Sequence, residues 1–262
     1  MLKKRLIPKL QMKVVKMAGS NILALVNTIN FDKFRVIGDP ISQAKIFQSQ
    51  SADELIFLNL DSKYDSNKMT INIIKKVSEE IFMPVTVGGG VSNIGYVREL
   101  LKSGADKVSI NTAAIENNKI ISDASNYFGS QCVVISIDYK KNCSGKNVVV
   151  THGGSKMTTL DPIEWAKKVE KLGAGEILLT SIDNDGMHNG LDLETTKTVS
   201  RSVSIPVISS GGCGKAKHFI DGFLIGKADA IAAGGFFSYK DQNQVQTRAQ
   251  IFNSDIPVRL QA

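Results

Sequence analysis

The chain has 262 residues, 42% of them hydrophobic and 22% charged. That size and composition suit one large soluble α/β domain or two small ones. No apolar run approaches the roughly 18 to 20 residues of a membrane span. The net charge of +7 comes from dispersed lysines among only 6% aromatic residues, so a nucleic-acid partner is not expected. The basic start Met1–Arg5 is followed by a stretch broken at Pro8 and Lys9, too short for a signal-peptide core. Cys132, Cys143 and Cys213 are odd in number and show no metal-ligand spacing. A reduced cytoplasmic setting is therefore expected, with no metal and no cofactor.

Strand and helix signals alternate along the chain. Leu6–Met12 reads as a first strand. Val14–Asn30 reads as irregular, with a turn at Gly19–Asn21 and a short strand at Leu23–Val26. Asp39 and Pro40 supply an N-cap and a first helical residue for a helix to about Ser51. Glu54–Leu60 is the second strand, Met69–Ile81 a helix, Pro84–Val87 the third strand and Ile94–Ser103 a helix. Lys107–Ile110 is the fourth strand, Asn118–Phe128 its helix and Val133–Tyr139 the fifth strand. Residues 140–159 interrupt the rhythm and read as a hairpin inserted in a loop, turning at Asn142–Gly145. Asp161 and Pro162 start the next helix. Glu176–Ser181, Pro206–Ser210 and Ala228–Ala233 complete the strands, with helices at Leu193–Val203, Lys215–Ile225 and Gln242–Phe252.

Two strand ends share one layout. Val85–Val87 runs into Gly88, Gly89 and Gly90, and Val207–Ser210 runs into Gly211 and Gly212, 122 residues further on. Ala52–Asp61 echoes Ala174–Asp183 at the same offset, and Gly104–Asp106 echoes Lys227–Asp229 at 123. Near-constant spacing implies duplicated halves of four βα units each. Two such halves close into a (β/α)8 TIM barrel, one domain spanning 1–262, more naturally than into an open sheet.

Sites in such barrels lie at the C-terminal strand ends. A strand that ends in glycines before a helix can aim backbone N–H groups at an anion. One such end alone reads better as a tight turn, but the matched pair favours phosphate binding and suits a ligand with two phosphates or one long phosphorylated molecule. Asp138 ends the fifth strand and reads either as a general acid or base or as a loop cap. Asp183 and Asp185 sit in a turn-forming stretch and read either as mouth-facing carboxylates or as a pure turn. Arg5, Glu54, Lys107 and Glu176 stand at the starts of strands one, two, four and six. They could form a neutral ring of salt bridges, but spacing alone favours ordinary outward charges.

The segments Lys4–Pro8, Gly38–Pro40, Ala52–Leu55, Thr86–Gly90, Gly104–Asn111, Phe128–Cys132, Thr151–Gly154, Gly173–Ser181 and Ile256–Leu260 together resemble the cyclase subunit of imidazole glycerol phosphate synthase. The resemblance covers nearly the whole chain. It implies a (β/α)8 barrel whose floor docks a glutaminase subunit and whose interior carries ammonia to the mouth. It implies that Arg5, Glu54, Lys107 and Glu176 form the floor gate, reversing the reading from spacing, and that Asp106 contacts the glutaminase. It also implies phosphate contacts at Gly90, Asn111 and Thr112 on one side, and at Gly212, Gly234 and Gly235 on the other.

The departures fall at the mouth. The family's Pro-Cys-Leu-Asp pattern is Pro8-Lys-Leu-Gln11 here, so Gln11 replaces a catalytic aspartate. Asn59 stands for a second-strand aspartate. The lysine of the family's first loop falls at Asn27, inside the rewritten stretch Val14–Thr28. Of the acid–base pair, Asp138 alone is kept. A glutamine cannot exchange a proton near neutral pH, so imidazole ring closure is expected to be badly impaired. That pattern resembles diverged paralogues in bacterial surface-polysaccharide gene sets. There a barrel, a glutaminase and an ATP-using amidotransferase turn a sugar acetamido group into an acetamidino group. Two other readings stay open: a working cyclase that pairs Asp138 with Asp183 or Asp185, and a scaffold that only stabilises its glutaminase.

Overall fold

The structure, a computed structural model, describes residues 3–17, 19–61, 64–238 and 243–259. Eight strands pair in parallel around a closed ring: β1 (Arg5–Met17), β2 (Leu55–Asn59), β3 (Val85–Gly88), β4 (Lys107–Ile110), β5 (Val133–Lys141), β6 (Glu176–Ser181), β7 (Val207–Ser210) and β8 (Ala230–Ala233). Closure runs through β8 beside β1, where Arg5 is in register with Ala230 and Pro8 with Ala233. Helices α1 (Pro40–Ser49), α2 (Tyr64–Glu80), α3 (Ile94–Lys102), α4 (Lys119–Phe128), α5 (Pro162–Lys171), α6 (Leu193–Ser202), α7 (Ala216–Leu224) and α8 (Gln244–Phe252) follow the strands in turn. This is the expected (β/α)8 barrel.

Local chemistry sets the helix starts. The Asp39 carboxylate accepts from the N–H of Ser42 at 2.7 Å, with Pro40 at the first helical position. Asp161 accepts from Ile163 and Glu164 ahead of α5. Each cap satisfies donors that the helix itself cannot. Alternation along the strands then separates two cores. Outward residues such as Leu6, Phe57, Val87, Val108 and Ile135 pack against the helices. Inward residues Ile7, Ile56, Val134, Leu178, Ile208 and Ala230 meet in a smaller cluster inside the barrel.

One stretch differs from expectation. Val14–Asn30 is not irregular. β1 continues to Met17, and Ser20–Ile29 returns antiparallel along it, from Met17 opposite Ser20 to Gln11 opposite Val26. Lys33–Gly38 adds a further antiparallel strand. Leu23, Ala24, Leu25 and Val26 are all buried, so this strand is covered on both faces and shows no period-two pattern. Its partner is the far end of β1, and that pairing is tertiary. Residues 140–159 carry the antiparallel strands Asn147–Thr151 and Lys156–Met157 beside the end of β5. Short helices at Thr112–Glu116 and Gly235–Ser238 follow β4 and β8 directly. The expected start of the last helix at Gln242 lies outside the described residues.

Candidate functional site

The barrel floor is closed by charge. Arg5 donates through Nη1 to Glu54 Oε2 at 2.8 Å and through Nη2 to Glu176 Oε1. Lys107 Nζ donates to Glu176 Oε2 at 2.8 Å and to both Glu54 oxygens at 3.1 and 3.0 Å. Thr86 Oγ1 adds a hydrogen bond to Glu54 Oε1 at 2.7 Å. Two cations and two carboxylates thus alternate in an inward-facing neutral ring. The four charges do not point outward, as spacing alone favoured. Burial by itself lowers the Arg5 pKa, but Glu176 and Glu54 outweigh it and hold the group above its ordinary value.

Asp106 lies beside this ring, exposed, with its carboxylate accepting from the N–H of Val85 at 2.8 Å. Asp53 does the same for Leu6 at 2.9 Å and Asp229 for Val207 at 3.1 Å. Each caps the start of the preceding strand around the barrel. Sequence reading missed this device, although its signal is present: Ala52-Asp53, Ala105-Asp106 and Ala228-Asp229 each stand just before a strand.

At the mouth the glycine ends are demanded by the backbone itself. Gly89, Gly90, Gly211 and Gly212 all have positive φ, between 66° and 108°. A Cβ on Gly89 would sit 1.9 Å from the Asn59 carbonyl oxygen, and one on Gly211 would sit 2.3 Å from that of Ser181. The two clashes occupy equivalent places in the two half-barrels. Gly89→Ala is expected to cost at least about 2 kcal/mol, from left-handed strain plus displaced backbone. A urea midpoint within error of the wild type would contradict this.

The inward faces bring Lys9 and Gln11 of β1 together with Asp185, which follows β6, and Thr28 of the returning strand. Lys9 Nζ is 3.5 Å from Asp185 Oδ1. Thr28 Oγ1 is 2.8 Å from Asp185 Oδ2 and 3.0 Å from Gln11 Oε1. These groups line a cavity of about 350 Å³ whose wall also includes Gly212, Gly234 and Gly235. Gly90, Asn111 and Thr112, which the resemblance implies as a second set of phosphate contacts, are not on that wall. Asn111 donates to Asp138 Oδ2 at 2.6 Å, and Thr112 Oγ1 accepts from the N–H of His152 at 3.0 Å. Asn59 faces α2, donating to Thr70 Oγ1 at 3.0 Å and to Ser66 Oγ at 3.2 Å, so it is not a mouth residue. Asp183 is exposed and caps the N–H of Lys141 at 2.9 Å. Of the two aspartates there, Asp185 is the one that faces the mouth. Lys9 and Thr28 were missed. Lys9 had a signal: two residues before Gln11, it shares that residue's strand face.

Asp138 is buried, and burial pushes its pKa up to about 6. Lys9 and the Ser136 hydroxyl pull it down, and Asp185 raises it further. A carboxylate whose folded pKa exceeds its unfolded value binds more protons when folded, so stability falls as pH rises through the window between the two. From the ordinary 3.8 to about 6, the loss is on the order of 3 kcal/mol. Asp138→Asn is expected to remove that slope. Equal pH dependence of unfolding in the two proteins between pH 4 and 6 would contradict it.

A barrel with a charge-closed floor and a polar cavity at the strand C-termini has the architecture of the (β/α)8 enzymes. The profile of a family described as histidine biosynthesis proteins matches residues 12–242, and the chain belongs to that family. A Prochlorococcus marinus protein with the provisional name imidazole glycerol phosphate synthase subunit hisF2 is 46% identical over 261 residues, the full length of both chains. The imidazole glycerol phosphate synthase subunits HisF of Alkaliphilus metalliredigens and Methanococcus vannielii are each 41% identical, over 99% of this chain and all of theirs. The chain is thus a HisF-type barrel.

Proposed function

We propose that this barrel receives ammonia from a glutaminase docked at its floor and conducts it to the mouth. On this reading it is a diverged HisF paralogue. It supplies ammonia for amidation of an acetamido sugar in surface-polysaccharide synthesis, together with an ATP-dependent amidotransferase. The observation that carries this reading is a contrast within one barrel. The ring of Arg5, Glu54, Lys107 and Glu176 is fully paired, while the mouth has Gln11 where the family has a catalytic aspartate. Asp106 is assigned to the glutaminase interface. The glycine ends at Gly90 and at Gly212, Gly234 and Gly235, with Asn111 and Thr112, are assigned to a phosphorylated small molecule.

The test is incubation of the chain with the cyclase's phosphorylated bis-ribosyl substrate and free ammonia. Little or no imidazole product is expected, and turnover at ordinary cyclase rates would sink the proposal. A second reading, a cyclase that pairs Asp138 with Asp185, is favoured by the inward placement of Asp185 and by the raised pKa of Asp138. Growth of a histidine auxotroph carrying this chain would support it.

A further inference from the structure

Four buried polar side-chain atoms on the wall of the mouth cavity have no hydrogen-bond partner among the described residues: Lys9 Nζ, Gln11 Nε2, Asn27 Nδ2 and Ser210 Oγ. Three of the four are nitrogen donors that accept nothing. Lys9 and Gln11 are only 3% and 5% exposed, and both line the cavity. A buried donor without an acceptor is destabilising; Gln11 Nε2 and Asn27 Nδ2 have none, and Lys9 Nζ has only the ion-pair contact with Asp185 at 3.5 Å. The sites on β1 and the returning strand are also those where the chain departs from the pattern it resembles: Lys9 for a cysteine, Gln11 for an aspartate, Asn27 for a loop lysine. At Gln11 an amide stands where the pattern has a carboxylate, and at Lys9 a cation stands where it has a thiol.

Charge agrees with this. Lys9 is joined at the wall by Lys33 and Arg35, against the carboxylate of Asp185. Both Asp185 oxygens already face donors, Lys9 at 3.5 Å and Thr28 at 2.8 Å. The neighbouring strand ends Gly212, Gly234 and Gly235 line the same cavity, and a Cβ on Gly235 would come 3.8 Å from Asn27 Nδ2, so the backbone there runs close beside this donor cluster.

We propose that Lys9, Gln11 and Asn27 form a subsite for an sp² oxygen acceptor, a carboxylate or an acyl carbonyl, on a small phosphorylated ligand. The ligand's recognised end is then an acyl group and not an amine or imidazole precursor. This inference rests on the phosphate reading of the glycine ends but not on the ammonia route, because it concerns binding by the isolated chain.

The test is calorimetric titration of the full chain with 3-phosphoglycerate, its amide, and glycerol 3-phosphate. These probes share a phosphate and differ only at the other end. The acid is expected to bind about 10-fold or more tighter than glycerol 3-phosphate, the range for charge-assisted hydrogen bonds to a buried cation. An amide that matches the acid assigns recognition to the carbonyl oxygen, and one that matches glycerol 3-phosphate assigns it to the carboxylate; both agree with the subsite. Lys9→Met is expected to reduce the preference to within about 2-fold, and Gln11→Asp to abolish or reverse it by placing a carboxylate against the ligand's own. Thermal melts of both variants report whether the fold is kept, and Lys9→Gln serves if Lys9→Met unfolds. Equal affinity for acid and glycerol phosphate, no measurable binding of any probe, or a preference that survives loss of the Lys9 charge would overturn the proposal.

Discussion

Gln11→Asp is expected to raise imidazole ring closure by this chain about 10²- to 10⁴-fold over the wild type, the usual worth of one general acid–base group. The partner for the restored carboxylate is already in place. Asp138 is buried, inward-facing and held by Asn111 at 2.6 Å, with a pKa pushed up to about 6, close to the pH at which proton exchange is efficient. The position also tolerates a carboxylate. Aspartate is one methylene shorter than glutamine, and Lys9 on the same strand face offsets its charge. The assay is product formation from the phosphorylated bis-ribosyl substrate with free ammonia, which leaves the glutaminase out of account. A folded variant with no gain would show that the mouth has diverged beyond the loss of one proton carrier. A wild type already as fast as the variant would favour the pairing of Asp138 with Asp185.

Glu54→Ala is expected to cost about 3–5 kcal/mol, the range for removing one partner of a buried ion pair. Glu54 is 2% exposed and accepts from Arg5, Lys107 and Thr86. Without it, two inward cations share the single carboxylate of Glu176 and the ring carries a net positive charge. Arg5 and Lys107 keep some solvent contact, with side chains 27% and 19% exposed, so the lower half of the range is the firmer expectation. In a double-mutant cycle, Glu54→Ala with Arg5→Met should lose less than the two single changes added together. Strict additivity in urea unfolding would show that the four charges do not act as a unit. The same ring distinguishes conduction from scaffolding. If the floor is a gate, Arg5→Ala changes glutamine-dependent delivery to the acceptor while leaving the reaction with free ammonia alone. A scaffold leaves both unchanged.

The eight-fold alternation, the helix caps at Asp39 and Asp161 and the half-barrel repeat were legible because they are written locally. A cap is two or three residues, a strand is a run of β-branched residues, and a duplication is a constant offset. The glycine ends were legible as special positions. That the Asn59 and Ser181 carbonyls come within about 2 Å of a would-be Cβ needed neighbouring strands to be placed. Ser20–Ile29 was missed as a full strand for a related reason: its ladder partner is the distal half of β1, and burial on both faces erases the periodic pattern.

From its sequence alone this chain is a duplicated (β/α)8 barrel that resembles the cyclase subunit, with Gln11 in place of an aspartate, because residue identity and spacing are sufficient for those statements. Direction and pairing were decided only by the tertiary structure. The ring of Arg5, Glu54, Lys107 and Glu176 joins residues as much as 171 apart in the chain. Asn59 turns out to α2 and Asp183 to the surface, while Asp185 turns in. Lys9 becomes notable only when barrel closure buries its amine beside Gln11, Asn27 and Asp185. Burial and hydrogen-bond satisfaction belong to the whole closed sheet, and no local stretch of sequence contains them.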